Sequence, residues 1–423
     1  MIHDSAIPNA GPSGAVEQAV QTADPVVHDT VTVAHKSSRW WIWLVVCGGV
    51  AAGLAVWRPW RGESVAELSR QCRILSTHSQ LNELAEVAAR WSVIAPQTAD
   101  PWLMRAEAAE GLEDYEHAAE FLGRVPRDDS RAVGALVRKA MIEFENLNRP
   151  RIGVQTCDEV LALDSRILMV HKQAIFYFTM TLQRAEMVRR IRQAIRARRE
   201  SPESYVYLLG TSWLYSASLY RHNEHWREAD PHDETFEVAQ ALQVYVSEAK
   251  TDLLHAADFE HIPTPEQLLE KYPHNLELVA YFLNQNISDG DLDRVQELLE
   301  AVPAKIADGD ARFWRARAWC ADVNGDFESA ERALRQAFAL DPYWWQIHFQ
   351  LHDLLRRRGR LEESARYFEI YKISKALTTE VKSLSKSAES LNDRKFLESM
   401  LKLAEFAQDE EVATALRERL ANL

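Results

Sequence analysis

The feature that most constrains the fold of this chain is an apolar pattern that recurs along most of its length. The clearest copy is the stretch NGDFESAERALRQAFALDPYWW, at residues 324–345. After its Asn-Gly-Asp turn, apolar side chains lie three and four positions apart: Phe327, Ala330, Leu334, Ala337 and Phe338. This spacing places them on one face of an α-helix. Asp341 and Pro342 end the pattern, so the stretch predicts a turn, a helix and a stop.

The same order of residues returns about every 34 positions. Each copy has a large residue, a small residue, a turn and a second small residue, and the best copies close on proline. The other clear copies read RRRGRLEESARYFEIY, LVAYFLNQNISDGDLDRVQELLEAVP, PWLMRAEAAEGLEDYEHAAEFLGRVP and LVRKAMIEFENLNRPRIGVQTCDEVLALD. We predict about seven or eight copies between residues 65 and 378, most of them degenerate.

A repeat of this length and composition resembles the tetratricopeptide repeat (TPR) family. The resemblance implies an all-α fold, an α-solenoid in which antiparallel helix pairs stack into a right-handed superhelix over residues 61–378. The physics agrees, because one helix pair cannot bury its own apolar face and must stack on the next. Residues 379–423 lack the pattern and are predicted to form capping helices, and an insertion interrupts the array near residues 221–234.

The N-terminal residues have a different composition. Residues 1–38 contain no aromatic side chain and no sustained period, so they are predicted to be a disordered tail. Residues 39–60 are predicted to be one transmembrane helix, because WWIWLVVCGGVAAGLAVW at residues 40–57 carries no charge. About 18–20 apolar residues cross the hydrocarbon layer of a bilayer. Tryptophan residues at both ends of the stretch are typical of the membrane interface.

Two signals disagree on the topology of this single-pass anchor. Basic residues are more numerous after the span than before it, which favours a cytoplasmic solenoid. Lys36 and Arg39 just before the span are typical of an uncleaved signal anchor, which favours the extracytoplasmic solenoid that we predict. Gly49 and Gly53 form a GxxxG pair, which also indicates a homodimer of the anchor.

Charge and cysteine content exclude several classes of function. Asp and Glu number 63 against 49 Lys and Arg, and the net charge of −14 argues against a nucleic-acid partner. The 4 cysteines are far apart and form no CxxC pair, so we expect neither a disulfide framework nor a zinc motif. The sequence contains no Walker loop, GxSxG elbow or HExxH helix, so we expect neither an enzyme nor a bound cofactor.

The insertion, RHNEHWREADPHDE, is rich in groups that bind metals. His222 and His225 are three positions apart, and His232 or a carboxylate would complete a divalent site. This is the basis of one remote alternative, a metal-dependent enzyme. The simpler interpretation, which we prefer, is a solvated loop without a metal, since surface loops collect polar residues.

The segment QRAEMVRRIRQAIRARRE predicts a helix with an apolar stripe and a basic remainder. Its basic patch consists of Arg189, Arg192, Arg196 and Arg199. Two interpretations stay open: a solvated face paired with acidic neighbours, or a surface for an acidic protein, an anionic lipid or phosphate. The same patch would also pair two subunits electrostatically.

In the TPR family, ligands usually lie in a concave groove lined by the first helix of each pair. The resemblance therefore implies six partner-binding residues in this chain: Arg312, Arg315, Trp319, Gln346, Phe349 and Arg356. Arginine and aromatic side chains are typical of binding hot spots. The leading hypothesis is thus a membrane-anchored scaffold that binds a protein or peptide partner. The alternative is a self-associating component of an assembly or transport complex.

Overall fold

The computed structural model describes residues 64–209, 220–246, 261–384 and 393–423, and the structural statements below concern these residues. Within them the chain forms 21 helices and no strand. In chain order the helices are α1 (Val65–Thr77), α2 (Leu81–Ile94), α3 (Ala99–Gly111), α4 (Tyr115–Gly123), α5 (Ala132–Glu145), α6 (Pro150–Leu163), α7 (Leu168–Met180), α8 (Arg184–Arg196), α9 (Pro202–Leu209), α10 (Tyr220–Ala229), α11 (Glu234–Tyr245), α12 (Pro265–Lys271), α13 (Leu276–Asp289), α14 (Leu292–Ala301), α15 (Ala304–Ala307), α16 (Ala311–Val323), α17 (Phe327–Leu340), α18 (Trp345–Arg357), α19 (Leu361–Leu384), α20 (Arg394–Phe406) and α21 (Glu410–Ala421).

Most of these helices form pairs joined by short turns. The first helices of the pairs that match the sequence pattern begin at Val65, Ala99, Ala132, Leu168, Leu276, Ala311 and Trp345. In the clearest copy, α16 and α17 are separated only by the turn at residues 324–326. Turns this short make consecutive helices run back along each other. The structure therefore confirms the all-helical array of repeated helix pairs that the sequence predicts.

The turn inside each pair has a recurring chemistry. Gly325 has a φ of 79°, in the left-handed region that glycine adopts without a steric penalty. Asp326 follows it and caps α17, because its Oδ1 accepts a hydrogen bond from Ser329 N at 3.0 Å. In the first half of the chain, Glu113 takes the same conformation with a φ of 60°, and Asp114 caps α4. The backbone turn is thus kept where the glycine of the sequence motif is missing.

The predicted capping helices form a further pair with the same turn. Gln408 has a φ of 56°, and Asp409 caps α21 by accepting a hydrogen bond from Val412 N at 3.3 Å. The helix before this pair, α19, contains 24 residues and runs to Leu384, past the predicted end of the array at residue 378.

This C-terminal pair folds back onto the middle of the array. Arg192 on α8 donates two hydrogen bonds to the carboxylate of Asp409, at 3.0 and 2.7 Å, across 217 positions of sequence. Tyr343, which follows α17, donates its hydroxyl to the same carboxylate at 2.8 Å. Apolar residues of α20 and α21 belong to the same buried cluster as those of α5 to α11. The last helices therefore cover apolar surface in the middle of the chain.

The interpretation of residues 221–234 as a solvated loop is wrong, because α10 covers most of the segment. Asn223 and Trp226 are one helical turn apart and both are buried. Asn223 Nδ2 donates hydrogen bonds to Met180 O at 2.8 Å and to Gln243 Oε1 at 2.9 Å. The sequence signal was missed because charged residues surround this short buried stripe, and a buried asparagine has no apolar periodicity to detect.

None of the described helices is long and apolar enough to cross a membrane. The predicted tail at residues 1–38 and the predicted span at residues 40–57, with Gly49 and Gly53, lie outside the described residues. The membrane anchor therefore stays a prediction from the sequence.

The close approach of α5 and α6 gives a first test. A Cβ on Gly153 would lie 2.7 Å from the ring of Phe144, whereas a Cβ on Gly134 would meet nothing within 4 Å. We expect Gly153→Ala to lower the free energy of unfolding by about 1–3 kcal/mol, because a buried ring must move. The matched control, Gly134→Ala in α5, is expected to raise it by up to about 1 kcal/mol through helix propensity. Urea unfolding followed by circular dichroism measures both, and equal effects would contradict the close packing.

Candidate binding pocket

A pocket opens where α8 faces the first turns of three later helices. Its volume is about 550 Å³. The wall is formed by residues 181–188 around the start of α8, by the N-terminal ends of α11, α13 and α16, and by residues 340–343 after α17. These segments are far apart in the sequence, so only the folded array brings them together.

Arg312 is the centre of a charged network in this wall. Its guanidinium donates to both carboxylate oxygens of Glu277, at 2.7 and 2.6 Å, and to Asp310 Oδ2 at 2.6 Å. Asp310 also caps α16, since its Oδ1 accepts a hydrogen bond from Arg312 N at 2.8 Å. Arg184 Nε lies 3.6 Å from Glu277 Oε2. Burial favours the neutral form of Arg312, yet the charges of Asp310 and Glu277 raise its pKa above the ordinary value.

Asp341 lines the same pocket with a different environment. Among the described residues its carboxylate accepts one hydrogen bond, from Tyr343 N at 3.3 Å, and makes no ion pair. Burial raises the pKa of Asp341 to about 6; Asp310 acts in the same direction, whereas Arg184 and Arg312 lower it. At neutral pH this side chain is a partly buried carboxylate without a cation in direct contact.

The next two residues of the predicted groove have structural contacts. Arg315 is only 7% exposed, and its guanidinium lies over the ring of Trp344, 4.9 Å from the centroid. Its Nη2 donates to Asn284 Oδ1 at 3.1 Å, and burial lowers its pKa to about 10. Trp319 is half-buried against the apolar cluster of α13, α14 and α16. Of the three groove residues on α16, only Arg312 lines the pocket.

The remaining predicted groove residues lie on α18. Gln346 is half-buried, whereas Phe349 is 44% exposed and Arg356 is exposed and paired with Asp353. Phe349 belongs to a group of rings on α18 and α19 that we call the terminal aromatic face: Trp345, Phe349, His352, Phe368 and Tyr371. Its ring centroid is 5.2 Å from that of Tyr371. Sequence analysis found Phe349 but missed the other four, although their spacing along two helices was visible.

The terminal aromatic face occupies repeat positions that are buried in the preceding pair. Leu334 and Ala337 on α17 are 4% and 0% exposed. One repeat later the same positions hold Phe368, which is 37% exposed, and Tyr371, which is half-buried. Within the described residues, the last pair of the repeat pattern therefore leaves partly open the positions that the preceding pair buries.

The basic patch on α8 and in the three residues after it is paired within the chain. Its contacts are those of Arg189 with Glu186, Arg192 with Asp409, Arg196 with Glu411, and Arg199 with the carbonyl oxygen of Arg166. Two of these partners, Asp409 and Glu411, belong to the C-terminal pair. An acidic partner of the patch stays a prediction, and it would have to compete with these contacts.

The histidines of the former insertion do not converge. The ring of His222 lies edge-on to that of Phe176, with 5.1 Å between centroids, and His225 and His232 are exposed. In the part of the chain that the structure describes, no group of three or more His, Cys, Asp and Glu side chains is placed to hold a metal ion. The position of His222 is explained by aromatic packing on α7 and α10.

No protein-family model matches this sequence, and no curated protein matches it either. Among solved structures, the chain is similar to the C-terminal part of a TPR repeat-containing protein from Cytophaga hutchinsonii, with 15% identity, 65% of this chain and 95% of that chain covered, and a TM-score of 0.26. It is also similar to the APC/C hetero-tetramer Cut9–Hcn1, with 11% identity and a TM-score of 0.28. That match covers 90% of this chain and 77% of that chain. A third similar structure is yeast Tom70, with 13% identity and a TM-score of 0.29. That match covers 83% of this chain and 93% of that chain. These TM-scores are low, so none of the three carries weight in the functional argument.

The buried network of Arg312 gives a test of stability. We expect Arg312→Ala to lower the free energy of unfolding by about 3–5 kcal/mol, because it removes the cation that lies closest to both Glu277 and Asp310. The control is Arg356→Ala on α18, whose exposed ion pair with Asp353 should change stability by less than about 1 kcal/mol. Urea unfolding of both variants checks this, and a small effect at Arg312 would contradict the network.

The pKa of Asp341 gives a test that depends on pH. Its folded-state value of about 6 lies above the ordinary 3.8, so the folded chain binds this proton more tightly than the unfolded chain does. The charged carboxylate therefore costs stability above its folded pKa, and the cost disappears as the pH falls towards the unfolded value. Asp341→Asn keeps an oxygen for Tyr343 N and should raise the free energy of unfolding at neutral pH by up to about 3 kcal/mol.

The gain from Asp341→Asn should shrink steadily when unfolding is measured from neutral pH down to about pH 4. Glu362→Gln is the control, because its side chain is 87% exposed on α19 and outside the pocket. A gain at Asp341 that is independent of pH would contradict the raised pKa.

Proposed function

We propose that this chain is a membrane-anchored scaffold that binds a helical segment of a protein partner on the terminal aromatic face. The observation that supports it best is the exposure of Phe368, at a repeat position where the preceding pair buries Leu334. In a stacked array, an apolar residue at such a position packs against the following pair. Within the described residues the rings of this face stay partly open to solvent, so the surface is suited to another helix.

The preceding pair indicates what kind of segment would fit. There, Leu334 and Ala337 share an apolar cluster with Ile347 and Leu351 of the next helix, α18. Ile347 and Leu351 are one helical turn apart on one face. By analogy, the partner segment is an amphipathic helix with large aliphatic residues at this spacing, laid across the aromatic rings.

Charge at the edge of the face adds a preference. Lys375 Nζ lies 5.3 Å from the ring centroid of Trp345 and donates a hydrogen bond to Tyr371 Oη at 2.9 Å. An acidic side chain at the edge of the partner helix would form an ion pair with this ammonium group. Such rim pairs favour the correct orientation and the association rate more than the affinity.

The membrane part of the proposal is supported by the sequence. The uncharged residues 40–57 have the length and the terminal tryptophans of a single span. An anchor of this kind raises the effective concentration of the scaffold near partners at the same bilayer. Lys36 and Arg39 support the extracytoplasmic side for the helical array.

Self-association is a second candidate, because the same face can meet its own copy. Two chains related by a twofold axis would present the same aromatic residues to each other. Gly49 and Gly53 would bring the two anchors together in the membrane. The mass of the detergent-solubilised complex distinguishes this dimer from a complex with another protein.

The test compares the full-length chain with the variant Phe349→Ala/Phe368→Ala by in-cell crosslinking, affinity capture and mapping of the crosslinked residues. Loss of two aromatic contacts at a hot spot should weaken the complex by about thirtyfold or more. The control is Phe327→Ala, whose ring is 39% exposed at the first residue of α17, outside the terminal aromatic face. A partner crosslinked to α18 and α19, lost in the double variant and kept in the control, supports the proposal. A partner captured equally by all three proteins would contradict it.

A further inference from the structure

The pocket beside α8 is separate from the terminal aromatic face and has the dimensions of a small-ligand site. Its volume of about 550 Å³ lies within the range of pockets that enclose such ligands. Much of the wall is apolar and consists of Leu182, Val188, Leu208, Val238, Leu276 and Ile306. A wall of this kind favours a ligand with an aliphatic chain.

The three arginines of the wall already interact with carboxylates of the same chain. Arg312 is held by Glu277 and Asp310, and Arg192 donates to Asp409 at 2.7 Å. The third, Arg184, lies near the carboxylate of Glu277. An anionic ligand would therefore have to displace an internal carboxylate, so the pocket is poorly suited to anions.

Two carboxylates of the wall have no such partner within the described residues. Glu234 Oε1 accepts a hydrogen bond from Asn275 Nδ2 at 3.2 Å, and the carboxylate of Asp341 accepts one from Tyr343 N. Neither forms an ion pair with a described cation. Glu234 is exposed, whereas Asp341 is partly buried, and removing a carboxylate from water without a cation costs free energy. The raised pKa of Asp341 is a sign of this cost.

We propose that this pocket binds an ammonium or guanidinium group carried on an aliphatic chain, with Asp341 and Glu234 as its counter-charges. The cation offsets the partly buried carboxylate of Asp341, the exposed Glu234 adds a second negative charge, and the aliphatic chain lies along the apolar wall. The group comes either from a lysine or arginine side chain of a protein or from a free amine. This inference does not depend on partner binding at the terminal aromatic face.

The experiment is a calorimetric titration of the full-length, detergent-solubilised chain at low salt with three probes. Nα-acetyl-lysine amide represents a protein side chain, and 1,5-diaminopentane represents a free amine. Nα-acetyl-norleucine amide has an aliphatic side chain without the charge. We expect the lysine amide, the diamine or both to bind at least about tenfold more tightly than the norleucine amide. The norleucine side chain has no ammonium group and cannot donate a charge-assisted hydrogen bond to a carboxylate of the pocket. The tighter of the two amines identifies the source of the group.

Variants locate the binding. Asp341→Asn should weaken binding of the tighter amine by about tenfold or more, and Glu234→Gln should weaken it to a smaller extent. Glu362→Gln is the control for the loss of one negative charge far from the pocket and should leave binding unchanged. Circular dichroism shows that each variant is folded, and Asp341→Asn is expected to be at least as stable as the original chain.

Three results would overturn the proposal. The first is equal binding of the lysine and norleucine amides, which would show that charge is not recognised. The second is no binding of either amine at millimolar concentration. The third is unchanged binding in Asp341→Asn, which would place the amine at another site. The comparison of the lysine and norleucine amides uses the original chain, so it tests recognition of the charge even where a variant fails to fold.

Discussion

A helix pair of this chain cannot cover its own apolar face, and the remaining structure depends on this constraint. Successive pairs cover each other's apolar faces by stacking, with small buried residues such as Ala330 and Ala337 between the helices. At the C-terminal end, α20 and α21 bury their apolar residues by folding back onto earlier helices. Asp409 fixes this return by accepting hydrogen bonds from Arg192 and Tyr343. The same contact positions residues 340–343, which form one wall of the pocket.

The pocket shows how charge is distributed when a mostly apolar array encloses polar groups. Arg312 is stabilised there because the carboxylates of Glu277 and Asp310 converge on it, and its removal would take away the cation closest to both. Burial raises the pKa of Asp341, which has no described ion pair, and this carboxylate is the basis of the cation preference that we propose for the pocket. Stability and ligand selectivity therefore come from the same small set of side chains. A substitution in this network changes both, so binding experiments at Arg312 would be confounded by unfolding.

The groove residues that the family resemblance implies have two different environments. Arg312 and Arg315 are buried within the array, where they hold neighbouring helices. Phe349 and Arg356 face solvent at the end of the repeat pattern. The composition of arginine and aromatic residues did not distinguish these two groups, since both are typical of interfaces and of buried contacts between pairs. Exposure separates them, and it moves the proposed partner site from the groove to the terminal aromatic face.

The sequence by itself determined the helical repeat, because apolar spacing, small residues at close contacts and turn residues such as Gly325 and Asp326 act within one copy. The turn persists where the repeat is degenerate, since a residue such as Glu113 can adopt the left-handed conformation at a modest cost. The sequence failed at α10, where the buried Asn223 depends on partners far along the chain. The pocket, the pairing of α8 with the C-terminal helices and the uncovered aromatic face were decided only by the tertiary structure. Each of them requires contacts between residues separated by many repeats, and local periodicity carries no information about which distant surfaces meet.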